Sequence, residues 1–550
     1  MTIYGLAYSN LNVPYRLREL LNVLKVLKID NSCIIGNQRI IDLYTDLKSL
    51  CKNNVEKKIE LQDKCLKYMT HSFYNNLVCE NGLFTKFYKQ GYKMNIAFPF
   101  IFLDVDYQDI SKIVNKITHL KSTHKLLFAT GMEEELLFGK GLAQVSETIE
   151  NSKCKNEYTF SLEIRGVNRK FDMNKKNQLR ESMLTEDRLS LPTGKVCLTK
   201  PDLELECFYL YTFDEHGHEF NFIILTEKMG DGVGIDAKFA LKNRKFISNT
   251  SMDPSLSNIM CNFGLVAKGD IVCDPFQGSG GILVAAAYNG SYVMGSEINW
   301  NLLHGRGKSS RKDQQWRYKD ENLFINLCNY ELKDKYLDCF VCDIYDIDVW
   351  RSVAFQELFN RLDKNVYKIN KNEIIVSVPL IKMAEILDLI NSCFSKQNYY
   401  YDAIITDPPY GLRESIKSFK IEKIFLQLVD YAARFLKLDG RLVFWMPFDV
   451  HLYNENCLPK HSCFKLVSNT YQSFTPNRGR RLLVYEKCQV YKPIFSHHIQ
   501  KENFVDLFFK IPLAYYVDEP YQTKTYRESA IEELSDITNK YEKLQKESIN

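Results

Sequence analysis

Two short runs hold residue types that can do chemistry. The first is Asp274-Pro275-Phe276-Gln277-Gly278-Ser279-Gly280-Gly281, the second Asp407-Pro408-Pro409-Tyr410-Gly411. In the first, the glycines let backbone approach a ligand closely and open a helix whose N-terminus is electropositive. Glu297 lies 23 residues beyond Asp274, an offset at which an acid can take the two ribose hydroxyls of a nucleoside cofactor. No Lys-Ser/Thr pair follows the glycines as in a P-loop, which argues against a nucleoside triphosphate. In the second run, two prolines fix φ and offer no amide hydrogens, so the segment presents carbonyl oxygens. The Asp407 carboxylate and the Pro408 carbonyl then make a cage of acceptors. A planar amino group on a nucleobase needs such a cage, because its lone pair is delocalised into the ring until its N–H bonds are held. Tyr410 offers a face on which the base can stack. The plain alternative for either run is a tight turn after a strand. Their joint occurrence, with Glu297 at its spacing, favours the chemistry.

These runs need elements that place them side by side. Beyond residue 245 the pattern alternates strand, turn and helix: strands are expected at Ile271–Cys273, Ser291–Gly295, Leu337–Val341, Ala403–Thr406 and Arg441–Met446, with a helix over Ile282–Tyr288. Phe464–Ser468 and Leu482–Tyr485 suit a closing antiparallel pair. The alternation predicts an α/β, doubly wound parallel sheet, whose ligands lie beyond the carboxyl ends of the strands at the switch point. An insertion is expected at about 351–399, because 63 residues separate Asp343 from Asp407. Residues 491–550 read as an extension with a charged helical tail. The region 1–230 mixes helical patterns (Tyr15–Leu27, Asp109–Leu120) with strand-like ones (Ile96–Val105, Tyr158–Val167, Leu203–Tyr211), an α+β region joined through a linker at 231–245.

Among 550 residues, 72 basic and 68 acidic side chains leave a formal net charge of +4, so any basic footprint must be local. One such segment, Arg165–Arg180, has six basic residues against one acid, with Arg169, Lys170, Lys175 and Lys176 around Phe171. It suits an RNA surface or a solvated loop. A second, Asn301–Asp320, has six basic residues against two acids, including Arg306, Lys308 and Arg311. Arg478, Arg480 and Arg481 form a third cluster. Sixteen cysteines at irregular spacing and no apolar stretch of membrane length suggest a cytoplasmic protein without a membrane span. Cys339 and Cys342 lack a second pair at zinc spacing and His304 lacks a ligand neighbour, so no metal is expected.

Taken together, the runs at 274–281 and 407–410 resemble the cofactor and catalytic motifs of amino-group methyltransferases that use S-adenosylmethionine. Further segments are similar to the tRNA guanine-10 N2-methyltransferase family: FISNTSMDP at 246–254, HGRGKSSR at 304–311, WRYKDEN at 316–322, IITDPPYGLRE at 404–414 and GRRLL within 472–486. The resemblance covers about 240–350 and 400–487. It implies a Rossmann-like methyltransferase domain over 246–490, preceded by a small α/β extension and a THUMP-type RNA-binding domain within 1–230. It implies that Asp274, Gly278 and Gly280 line the methionine and ribose part of S-adenosylmethionine, that Glu297 takes the ribose, and that Asp343 binds the adenine amino group. Asn249, Thr250 and Ser251 would close the methionine end. Asp407, Pro408, Pro409 and Tyr410 would be catalytic, and Arg306, Lys308 and Arg311 would meet RNA phosphate or the cofactor side. On local charge alone, the clusters at 165–180 and at Arg478, Arg480 and Arg481 are further candidates to meet tRNA. The family also implies a small zinc-binding activator protein as heterodimer partner, for which the edge strand Leu337–Val341 is a candidate seat. Two rival readings stay open here: an N6-adenine DNA methyltransferase, whose substrate also offers an amino group, and a catalytically silent RNA-binding subunit.

Overall fold

Two seven-stranded sheets carry the chain. They are seen in a computed structural model that describes residues 2–8, 15–34, 100–131, 135–153, 156–167, 170–213, 219–318, 321–344, 401–409, 421–449, 453, 458–474 and 478–491. The expected insertion, most of the C-terminal extension, Arg169 and Tyr410 lie outside the described residues, and the Arg478 side chain is also outside them.

The first sheet has the order β2-β1-β3-β7-β6-β4-β5. Its strands are β1 (Ile3–Tyr8), β2 (Phe100–Asp104), β3 (Leu120–Gly131), β4 (Tyr158–Val167), β5 (Gly194–Val196), β6 (Leu203–Phe213) and β7 (Glu219–Asp231). Helices α1 (Arg16–Leu27), α2 (Tyr107–Val114), α3 (Glu135–Ser152) and α4 (Met173–Met183) accompany it. The helix expected over Asp109–Leu120 starts two residues earlier, capped by the Asp106 carboxylate on the Asp109 amide, and stops at Val114. Leu120 instead opens β3 opposite Tyr8 of β1, and the antiparallel ladders of β3 with β1 and β7 outweigh local helix preference. Neither β3 nor β7 is marked by the sequence patterns. The basic segment Arg165–Arg180 is the end of β4 followed by α4, not a loop, with Asp172 capping the helix.

The second sheet has the order β10-β9-β8-β11-β12-β14-β13. Strands β8 (Ile271–Asp274), β9 (Tyr292–Ser296), β10 (Tyr336–Phe340), β11 (Tyr401–Thr406) and β12 (Leu436–Asp449) run parallel, and β14 (Arg478–Lys487) and β13 (Phe464–Ser473) close it antiparallel. This is the expected doubly wound α/β domain, and the chain reverses its direction of winding between β8 and β11. Helices α5 (Pro254–Phe263), α6 (Gly281–Tyr288), α7 (Leu323–Asn329) and α8 (Ile421–Phe435) flank it. All four residues of β8 are buried, because both sheet faces are covered and a continuous apolar run serves better than alternation. One face packs Ile271, Cys273 and Phe444 against α8. The other packs Val272, Val443 and Trp445 against α5 and α6, and takes in Tyr15 from just before α1.

Candidate active site

The neighbouring strands β8 and β11 end together, and their last side chains meet. Ala403 is in register with Val272 and Ile404 with Cys273. One step further, the Thr406 hydroxyl donates to Asp274 Oδ1 at 2.5 Å, and the Phe276 amide donates to the same oxygen at 3.0 Å. Asp274 is 1% exposed. Burial pushes its carboxyl up from 3.8 to about 7, the two hydrogen bonds pull it down, and the charges of Asp407 and Glu297 push it up again. The two sequence runs are thus close enough to feel each other electrostatically.

Between them turns the glycine loop. Gly278 and Gly280 take φ of +54° and +75°, the left-handed region that glycine adopts without strain. A Cβ on Gly278 would meet nothing within 4 Å, so open space lies over the turn. The Gly278 amide donates to Glu297 Oε2 at 3.1 Å, and the Asn299 amide to Oε1 at 2.8 Å, which fixes the acid against the loop. Ser279 and Ser251 share a hydroxyl–hydroxyl bond of 2.6 Å, bringing the segment of Asn249, Thr250 and Ser251 over the same loop. Asp343 sits three residues past β10, whose Phe340 is in register with Ser296, so Asp343 and Glu297 follow the tips of adjacent strands. The Gln277 side-chain oxygen is buried and has no hydrogen-bond partner among the described residues.

That set of groups fits S-adenosylmethionine. The carboxylates of Asp274, Glu297 and Asp407 gather negative charge around an open glycine turn, part of which Arg480 balances at Asp407, and this cofactor carries a sulfonium and an ammonium that suit such a site. The unpaired Gln277 oxygen is a further acceptor, and Glu297 and Asp343 stand where a nucleoside would continue.

The basic residues divide into those turned inward and those on the surface. Lys176 pairs with Glu163 at 2.9 Å, Arg180 with the same acid at 3.5 Å, and Arg165 forms a two-pronged bond with Glu206, so much of the α4 charge is neutralised within the fold. Lys170 and Lys175 are exposed. Lys308 is exposed on a loop whose strand-like sides meet at Lys308 and Trp316. Arg306 is exposed and lies 4.7 Å over the Trp300 ring. Arg311, by contrast, donates to the backbone oxygen of Arg244, which secures the loop. Arg480 is 8% exposed and faces Asp407, a placement quite different from the surface role expected for it. Thr406, Gln277 and Ser279 carry no signal that singles them out in the sequence taken one by one. Thr406 is the findable one, since it directly precedes the Asp-Pro-Pro-Tyr run on the strand that must neighbour β8.

Comparison with known proteins converges on the same chemistry. The family described as "RMKL-like, methyltransferase domain" matches residues 242–468. The tRNA (guanine(10)-N(2))-methyltransferase of Bos taurus is 34% identical over 343 residues, 57% of this chain and 64% of that protein, so the chain spans just under two thirds of that relative. The enzyme of the same name from Rattus norvegicus is 30% identical over 425 residues, 72% of this chain and 80% of that protein. Among solved structures, TrmN from Thermus thermophilus overlaps at a TM-score of 0.37 and 14% identity, covering 74% of this chain and 96% of that one. The strand order, rather than that overlay, carries the fold. With the rat protein matched over four fifths of its length, the chain belongs to the tRNA (guanine(10)-N(2))-methyltransferase family.

Proposed function

We propose that this chain transfers a methyl group from S-adenosylmethionine to the exocyclic N2 of guanosine 10 in tRNA. The observation that carries the reading is the meeting of Asp274 and Thr406 at the tips of β8 and β11, which sets Asp407 beside the glycine loop. When bound, the cofactor supplies a methyl group already activated by its sulfonium. The chain's own residues hold and orient. Asp274, Glu297 and the turn at Gly278 and Gly280 seat the donor, with Asn249, Thr250 and Ser251 over its methionine end and Asp343 at the adenine. Asp407 accepts one N2 hydrogen and the Pro408 carbonyl the other, so the lone pair turns out of the ring plane. N2 would gain positive charge as it takes the methyl group, and its proton would then be acidic enough for a weak base such as Asp407 to accept. Pro409 keeps the segment rigid, and Tyr410 stacks on the extruded base. Orientation of this kind can contribute about 7 to 11 kcal/mol.

The same reading extends to the rest of the chain. Residues 1–230 hold the extension and THUMP-type domain, 231–245 link them to the catalytic part at 246–490, and 491–550 extend beyond it. Lys170, Lys175, Arg306 and Lys308 meet tRNA phosphates, with Arg169 and Arg478 in the same role. A zinc-binding activator pairs at β10, the edge strand of its sheet among the described residues, beside which Val341 is 40% exposed. A cytoplasmic location fits the free thiols of the described cysteines, and no described helix is long and apolar enough to cross a membrane.

The deciding experiment is nucleoside analysis of tRNA after reaction with methyl-labelled cofactor, with and without the activator. Label is expected in N2-methylguanosine at position 10, and none in a transcript with inosine there, which lacks the amino group. Label in N6-methyladenine, or none at all, overturns the reading and returns one of the two rivals.

A further inference from the structure

Arg480 is held on every side by protein. Its Nε donates to Gln472 Oε1 at 2.7 Å, its Nη1 reaches Asp407 Oδ2 at 3.5 Å, and its Nη2 lies 3.9 Å from Met252 Sδ. The guanidinium carbon sits 4.0 Å from the centroid of the fully buried Trp445 ring and 5.3 Å from that of the Phe474 ring. Phe474 is 53% exposed, so the group forms a layered slot with Trp445 on its buried side and Phe474 on its solvent side. Trp445 is braced in turn by Tyr15, edge-on at a centroid separation of 6.2 Å. A buried cation is costly unless an anion compensates it. Asp407 is first among the groups that do so, and Asp253 acts in the same direction. At 3.5 Å the contact is longer than a tight charge-assisted bond, so its effect is chiefly Coulombic and orienting. Seen from Asp407, the cation opposes the nearby negative charge of Asp274.

We infer that Arg480 is a positioning residue for methyl transfer: it faces Oδ2 of Asp407 and holds that carboxylate aimed while the amino group is received. The slot built by Trp445, Phe474 and Gln472 serves to keep the guanidinium in place. This rests on the proposed function, since a fixed carboxylate at position 407 has a purpose only if an amine is methylated there.

The test uses the full chain with its activator, tRNA and S-adenosylmethionine. Arg480→Gln is expected to lower kcat roughly 10- to 100-fold while KM for tRNA and cofactor stay within about threefold. Arg480→Lys should restore part of the lost kcat but not the full rate, since it keeps the charge and loses the fork. Gln472→Leu, which leaves the charge intact and loosens the guanidinium, should lower kcat severalfold with both KM values kept, and it serves if Arg480→Gln does not fold. Folded variants with wild-type kcat, or a loss confined to KM for tRNA, would overturn the inference in favour of a structural or phosphate-binding arginine. Wild-type chain that methylates no guanosine sinks the functional reading instead.

Discussion

Asp274 is enclosed beside two further carboxylates, an arrangement that favours a proton or a cation in their midst. Its carboxyl is raised from 3.8 to about 7, first by burial and then by Asp407 and Glu297. Below pH 7 the group holds its proton and attracts a cation weakly; above it the charge is present. S-adenosylmethionine affinity should therefore fall as pH drops from 8 to 6, approaching tenfold per unit at the acid end. Isothermal calorimetry across that range measures it, and Asp274→Asn should bind weakly with a flat profile. A wild-type affinity that does not change with pH contradicts the assignment. Asp407→Ala should behave differently, with turnover down about 10²- to 10⁴-fold and cofactor affinity almost unchanged, because in the proposed reaction the group acts on the acceptor amine and not on the donor.

Elements transmit such demands. Helix α6 begins at the glycine turn because Gly280 can take φ of +75° and has no Cβ, which would stand 2.4 Å from Leu323 Cδ1 on α7. Gly280→Ala should destabilise the protein by roughly 1 to 3 kcal/mol through backbone strain and displacement of Leu323. Thermal melts should show the effect, and cofactor binding should weaken with it. The loop from Arg306 to Trp316 is an element of another kind, held from beneath by Arg311 and carrying Arg306, Lys308 and Lys312 exposed. Changing Lys308 and Lys312 to Glu should weaken tRNA binding and lower its salt slope by about one for each phosphate that is no longer neutralised. An unchanged slope would place the tRNA elsewhere.

At the scale of the molecule, α1 is seated against the catalytic sheet. Arg18 donates to the Val467 carbonyl at 2.8 Å, and Arg441 reaches both Asn22 and the Phe263 carbonyl at 2.9 Å. Glu19 lies in the same joint, its Oε1 accepting from the Thr118 amide and hydroxyl and from Asn262 Nδ2 on α5. Burial raises this carboxyl from 4.5 to about 7 against those hydrogen bonds. The folded state thus holds the proton more firmly than the unfolded chain, and the resulting stability is complete below about pH 4.5 and lost above about 7. Relative to Glu19→Gln, which keeps an acceptor oxygen and cannot titrate, the wild-type melting temperature should decline between pH 5 and 8. Parallel curves would mean that Glu19 is already ionised in the folded protein.

What the sequence determined by itself is what depends on near neighbours along the chain. The glycine turn, the proline-fixed Asp407 run, the alternation of strands and helices, and the offset of Glu297 are all written within short windows, and a buried parallel strand announces itself as a continuous apolar run. A long antiparallel strand such as β3 escapes such reading, because both its partners, β1 and β7, lie about a hundred residues away and its own composition is ambiguous. The direction of an arginine is equally hidden. Arg311, Arg480 and Lys308 look alike in the chain, yet one ties a loop, one faces Asp407 from a buried slot and one meets solvent. Only the tertiary structure decides that, since the cost of enclosing a charge depends on which groups the fold brings to it.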